Sequence, residues 1–121
     1  MDQRSVSTWV ISTFGESAMH PTIRAMRFLE EAIELVQACG LTLEEVDRVA
    51  GVVYSRPVGE VSQEVGGTRL TLAALCEAMH VDGDIAATVE WDRVQLKSPE
   101  YVRARDAAKR ALGLERPNGV M

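Results

Sequence analysis

"PTIRAMRFLEEAIELVQACG", residues 21–40, is the stretch on which the fold turns. Pro21 suits the first turn of a helix, where its missing N–H costs nothing. Gly40 suits the C-terminal cap, because glycine takes positive φ without a Cβ clash. Advancing about 100° per residue gathers Ala25, Leu29, Ala32, Ile33, Val36 and Cys39 on one broad side. Arg24, Arg27, Glu30, Glu31 and Glu34 fall on the other. An apolar stripe opposite charges is the pattern of a helix laid against a core. By itself the charged side reads as a solvated face, on which Arg27 and Glu31 are spaced for an i,i+4 pair.

The same punctuation organises the rest of the chain. Residues 6–14 form a short leading helix or an extended arm, ended by Gly15. Thr42 with Glu45 three residues on is a capping box opening a helix to about Tyr54. Pro57 breaks it, and a longer helix is expected from about Val58 to Met79. "DGD" at 82–84 is a turn with Asp84 as the expected N-cap of a helix to about Leu96. Ser98-Pro99 starts a last helix over about 99–112, closed by Gly113, and the tail 114–121 should be loose. No segment alternates with period two, so we expect no sheet. There is no internal repeat and no low-complexity segment. The expectation is an all-α single domain over 1–121, a four-helix bundle with short flanking helices.

Composition agrees with that class. The chain has 121 residues, 46% hydrophobic and 26% charged, with only 5% aromatic. A net charge of −5 argues against a nucleic-acid-coating role, which needs a basic face. It leaves room for an anionic substrate, since a metal ion reverses the local field. Cys39 and Cys76 sit in apolar helical stretches and read as small buried side chains. No apolar run approaches the ~18 residues of a membrane span, and the first residues lack a signal-peptide core. A soluble cytoplasmic protein with no membrane partner is expected, of cellular or phage origin.

The helix expected over 58–79 differs from the first. Ser62, Gly66, Arg69 and Glu77 define its polar side. Glu60, Glu64, Gly67 and Thr71 fall opposite, in line with Ala74, Leu75 and Ala78. Two carboxylates one turn apart therefore point where the core should be. Unpaired buried carboxylates must meet a cation, take a proton, or open onto a cleft. Packed against the first long helix, Glu60 and Glu64 would face Glu31 and Glu34. An all-carboxylate donor set suits Mg²⁺ or Mn²⁺, which keep waters and bind phosphates. Gly66-Gly67 in mid-helix costs roughly 1 kcal/mol per glycine, and leaves room for a ligand or for a closely packed helix.

"EEAIE" (30–34) followed by "EVGG" (64–67), within "RPVGEVSQEVGGTRLTLAALC", resembles the MazG-like all-α nucleoside triphosphate pyrophosphohydrolases, in a phage- and bacterium-associated branch. The resemblance covers about residues 22–97. It implies hydrolysis of an NTP or dNTP to the monophosphate and pyrophosphate, with Mg²⁺ or Mn²⁺ as cofactor. It implies Glu31, Glu34 and Glu64 as metal ligands, and Glu30 and Glu34 as the groups acting on water. Gly67 stands where the family's second motif ends in aspartate. Glu60, Asp92 and Glu90 are the candidates to replace that ligand. Arg93 and Lys97 stand where the family often places basic residues against phosphate. Trp9 and Trp91 either stack on a base or pack in a core or interface.

Two rival readings use the same residues. A di-iron bundle needs two Glu-x-x-His motifs, and only Glu77–His80 matches, on the polar side of its helix. His20 has no such partner and reads as a surface or capping histidine. A catalytically degenerate helical dimer, with a binding or regulatory role, would account for Gly67. Because the 58–79 helix is apolar over most of its circumference, a homodimer or higher homo-oligomer is expected in either case.

Overall fold

The structure, a computed structural model, describes residues 1–115. Every regular element among them is helical. They fall into two compact units. One comprises residues 1–41 with the chain from Arg93 onward; the other is Thr42–Asp92. No helix among the described residues is long and apolar enough to cross a membrane.

In the first unit, the leading segment takes the helical alternative. Helix α1, Gln3–Phe14, is capped by Asp2, whose carboxylate accepts from the Ser5 N–H at 2.8 Å. That bond holds the Asp2 carboxyl below the usual carboxylate range. Gly15 at φ +92° ends α1 and leads into a 3₁₀ turn, Glu16–Met19. His20 then caps α2, Pro21–Ala38, its Nδ1 accepting from the Thr22 N–H at 3.3 Å. Pro21 stands in the first turn, as its missing N–H permits. Ser98 caps the last helix, α6, Pro99–Ala111. Val10, Thr13 and Ile23 are the buried residues, where α1 and α2 meet.

The charged side of α2 is wet only in part: Arg24, Arg27 and Glu30 are half-buried, Glu31 and Glu34 exposed. Arg27 donates through Nη2 to Asp106 at 2.7 Å and through Nη1 to the Leu114 carbonyl at 2.7 Å. Its guanidinium also lies 3.5 Å from Glu115, and only 12% of its side chain is exposed. Glu30 pairs with Lys109 at 3.0 Å. Leu29, expected on the covered side, is 55% exposed, and its neighbour Phe28 58%. The reason lies in α6. Its half-buried residues, Val102, Asp106 and Lys109, recur at helical spacing and carry the charges complementary to Arg27 and Glu30. Charges with partners tolerate burial; the expectation of solvation assumed none. Arg27 is thereby engaged across helices. The tail expected to be loose is held at its start by Leu114 and Glu115 through these contacts. The remainder of that expectation, 116–121, lies outside the described residues.

In the second unit, helix α3, Leu43–Tyr54, opens with the full capping box between Thr42 and Glu45. Helix α4 is Val61–Ala78, shorter at its start than expected. Glu60 is therefore its N-cap rather than a member of the helix. Helix α5, Gly83–Gln95, begins two residues earlier than expected, so Asp82 caps it, accepting from the Ile85 N–H at 2.9 Å. Asp84 sits in the first turn instead. Gly83 lies where a Cβ would meet Cys76 Sγ at 3.3 Å, which keeps the α4–α5 turn tight.

A regularity absent from the residue types is present in the backbone. Val61 and Ala78 bound α4 as Pro21 and Ala38 bound α2, 40 positions later, and both helices have 18 residues. The following helices begin at Leu43 and Gly83, again 40 apart. Both long helices end in the same motif. The Gly40 N–H bonds the Gln37 carbonyl and the Leu41 N–H that of Val36; the His80 N–H bonds Glu77 and the Val81 N–H bonds Cys76. The left-handed residue is Gly40 in one and His80, at φ +57°, in the other.

A residue with a Cβ pays about 1 kcal/mol for that conformation. His80→Gly should therefore raise stability by about 1 kcal/mol, and Gly40→Ala should lower it similarly, as shifts of urea midpoint at constant m-value. An unchanged midpoint for His80→Gly would reject strain at this position. Arg27→Met leaves Asp106 and Glu115 short of their cation and should cost about 3 kcal/mol, read in the same way.

Candidate functional site

The carboxylates of the first motif lie midway along α2. Glu30 is half-buried and held by Lys109. Glu31 and Glu34 are exposed, and Glu34 has no ion pair or hydrogen bond among the described residues. Glu31 is engaged within the described structure. Thus the three glutamates divide: Glu30 is paired with α6, and Glu31 and Glu34 are exposed.

The second motif stands at the start of α4. Glu60 accepts from the Ser62 N–H at 3.1 Å through one carboxylate oxygen and from the Gln63 N–H at 2.9 Å through the other. Glu64 follows in the first turn, where the helix dipole favours a negative charge. The Glu64 side chain folds back over Gly59, whose hydrogen it approaches so closely that a Cβ there would lie 2.3 Å from Oε2. Gly59 was not singled out by spacing; its only sequence signal is its place directly before the acidic cap. Both glutamates are exposed, which corrects the expectation that they point into a core. Within its unit, α4 covers only Leu75 and Cys76 in part, so there is no interior on its Glu64 side.

Gly66 and Gly67 have nothing within 4 Å of an added Cβ, so no packing within the chain requires them. Thr68 and Thr71 return hydroxyl bonds to the Glu64 and Gly67 carbonyls, at 2.8 and 3.0 Å. Those bonds satisfy hydroxyls that otherwise compete with the helix.

Glu31 and Glu34 belong to the first unit, Glu60 and Glu64 to the second. Within either unit, no three His, Cys, Asp or Glu side chains among the described residues are grouped to hold a metal ion. The donors are nevertheless all carboxylate oxygens, the chemistry that hard divalent cations take.

A cationic cluster lies at the end of α5 and the start of α6. Lys97 places its ammonium 5.5 Å from the centre of the Tyr101 ring. Arg105 donates to the Tyr101 hydroxyl at 3.5 Å. That bond, followed by the charges of Arg105, Lys97 and Arg93, lowers the Tyr101 pKa from its ordinary value. Arg93 and Lys97, expected on phosphate, therefore share their surroundings with Tyr101, four residues after Lys97, and Arg105, four after Tyr101. Trp9 packs edge-to-face on Phe14 at 5.8 Å, as a packing residue would. His20 is a capping residue, and His80 a helix terminator.

No family model, curated protein or solved structure matches the chain.

Gly59→Ala should displace the Glu64 carboxylate while leaving α4 intact. The ¹³Cδ resonance of Glu64 should move and that of Glu34 should not. A Glu64 resonance that stays in place would show that its carboxylate does not rest on Gly59.

Proposed function

We propose that the chain is a metal-dependent hydrolase of a nucleoside triphosphate (NTP or dNTP), releasing the monophosphate and pyrophosphate, and acting as a homodimer or higher homo-oligomer. The observation that carries this reading is the order of two carboxylate motifs, Glu30-Glu31-x-x-Glu34 on α2 and Glu64 on α4, in an all-helical chain. It is the pattern of the MazG-like pyrophosphohydrolases, whose second-motif aspartate is Gly67 here. In this reading Glu31, Glu34 and Glu64 bind the cation, with Glu60 in reserve as fourth donor. A bound Mg²⁺ or Mn²⁺ supplies positive charge at the phosphates and acidifies a coordinated water. Glu34, exposed and unpaired among the described residues, takes the proton of the attacking water. A water oxygen joins phosphorus, and the bridging oxygen between the α- and β-phosphates leaves with pyrophosphate. Glu30 orients water on its outer side, its own position held by Lys109. Arg93 and Lys97 meet the phosphates. Such a substrate places the protein in a cytoplasm, without membrane or nucleic-acid partner.

Self-association rests on exposed apolar side chains. Val65 and Leu72 on α4, and Ile85 and Val89 on α5, are between 44% and 63% exposed. Covering such surface gains about 25 cal/mol per Å², and a second copy is the cover always at hand.

Specific contacts also favour the degenerate, non-enzymatic dimer. Glu30 is neutralised by Lys109, Glu60 spends both oxygens on its helix, and Gly67 contributes no ligand. The two readings part in one experiment. A panel of NTPs and dNTPs with Mg²⁺ or Mn²⁺ should release pyrophosphate, and Glu34→Gln or Glu64→Gln should reduce the rate at least about 100-fold. Millimolar metal should also raise the melting temperature of the wild type. No pyrophosphate from any nucleotide with either metal would overturn the enzyme. A Glu64→Gln variant stabilised without metal, in a protein that metal does not stabilise, would establish the helical dimer instead.

A further inference from the structure

A small cleft in the first unit is unrelated to the carboxylate motifs. It is bounded by the end of α1, the 3₁₀ turn, α2 and α6, and encloses about 160 Å³. Phe14 and Ile23 supply apolar wall; Ser17, Arg24 and Arg103 supply donors. Drug-sized ligands occupy clefts of roughly 300–1,000 Å³, so this one suits a much smaller guest.

Its charge is unevenly satisfied. Asp106 and Glu115, also on the wall, are ion-paired with Arg27 and Arg110, and the buried Glu115 Oε2 has no hydrogen-bond partner among the described residues. Arg24 is half-buried and donates through Nε to the Ala18 carbonyl at 2.8 Å. Its two Nη groups have no hydrogen-bond or ion-pair partner among the described residues. Arg103 donates to the Thr13 carbonyl at 3.3 Å, and its other Nη group is 3.8 Å from exposed Glu100. Both guanidiniums are therefore anchored by backbone carbonyls, which carry no full charge. Desolvation lowers the Arg24 pKa, and the nearby Arg27 charge lowers it further. Three guanidiniums, Arg24, Arg103 and Arg110, line the cleft against two carboxylates, in a chain of net charge −5. Anchored arginine forks with spare N–H groups match the oxygens of a tetrahedral oxyanion, and the Ser17 hydroxyl adds a further donor.

We propose that this cleft binds a small phosphate-type oxyanion, held by Arg24 and Arg103. The guest accepts from the spare Nη–H groups of Arg24, which neither Asp106 nor Glu115 hydrogen-bonds. It does not depend on hydrolysis, on the carboxylate motifs or on any metal.

The test is a titration of the full chain with inorganic phosphate at constant ionic strength, following the arginine Nε–Hε resonances. Saturable shifts are expected at Arg24 and Arg103, with no comparable shift at Arg48, which belongs to α3 in the other unit. Arg24→Gln should weaken binding at least about tenfold, the scale of one charge-assisted hydrogen bond. Arg103 is half exposed, and Arg103→Gln gives the same test should Arg24→Gln fail to fold. Chloride and acetate are the control arms. Shifts that do not saturate, that persist in the folded variant, or that chloride reproduces would overturn the site. Equal binding of acetate would overturn its assignment to phosphate-type anions.

Discussion

The Arg27 guanidinium is the contact on which the first unit depends. It joins α2 to Asp106 in the middle of α6 and to Leu114 and Glu115 beyond its end. One cation so placed does what an apolar seam does elsewhere. Its fork hydrogen-bonds one carboxylate, Asp106, and one carbonyl, and ion-pairs with Glu115, so part of its desolvation is offset by charge-assisted bonds. Glu30 and Lys109 repeat the arrangement one turn on. Between them these pairs decide which face of α2 is covered. They also leave the stripe of Phe28, Leu29 and Ile33 open. A small unit with few buried apolar residues relies on such polar seams because it has little hydrophobic area to bury.

The seam bears on the candidate chemistry. Glu30 lies on the α6 side of the helix and is already paired; Glu34, one turn later, is not. The motif E-E-x-x-E thus contains residues of two kinds, separated by the 100° step of the helix. In the second unit a similar division holds for Glu60, which serves its own helix, and Glu64, which rests on Gly59. The groups most available for a ligand are Glu34 and Glu64. Around the cleft lined by Arg24 the balance runs the other way, with cations outnumbering the carboxylates that serve them.

Backbone economy shows in the helix ends. Two helices of equal length, 40 positions apart, finish with the same pair of hydrogen bonds, although their residues share little. What is shared is a left-handed residue followed by an apolar one and then a capping side chain, Gly40-Leu41-Thr42 and His80-Val81-Asp82. The motif needs a backbone conformation and an acceptor, and several residue types meet each need. Identity between the segments is therefore low while their geometry coincides.

The sequence by itself determined the helices. Pro21, Gly40, the Thr42–Glu45 box, Pro57, Ser98-Pro99 and Gly113 act on neighbouring backbone, within one turn, so their effects are readable without a fold. The ends it placed less well are at Glu60, where the helix is expected to start directly after Pro57, and at Asp82, where Asp84 two residues on is a second possible cap. Tertiary structure alone decided burial. Whether Arg27 and Glu30 are wet depends on Asp106 and Lys109, nearly 80 positions away, and no periodicity within α2 reports a partner on α6. The same holds for the cleft at Arg24, which exists only because the 3₁₀ turn and α6 come to either side of α2. A wheel sorts residues by polarity, whereas burial follows complementarity, and charged residues are buried wherever the opposing helix supplies the opposite charge.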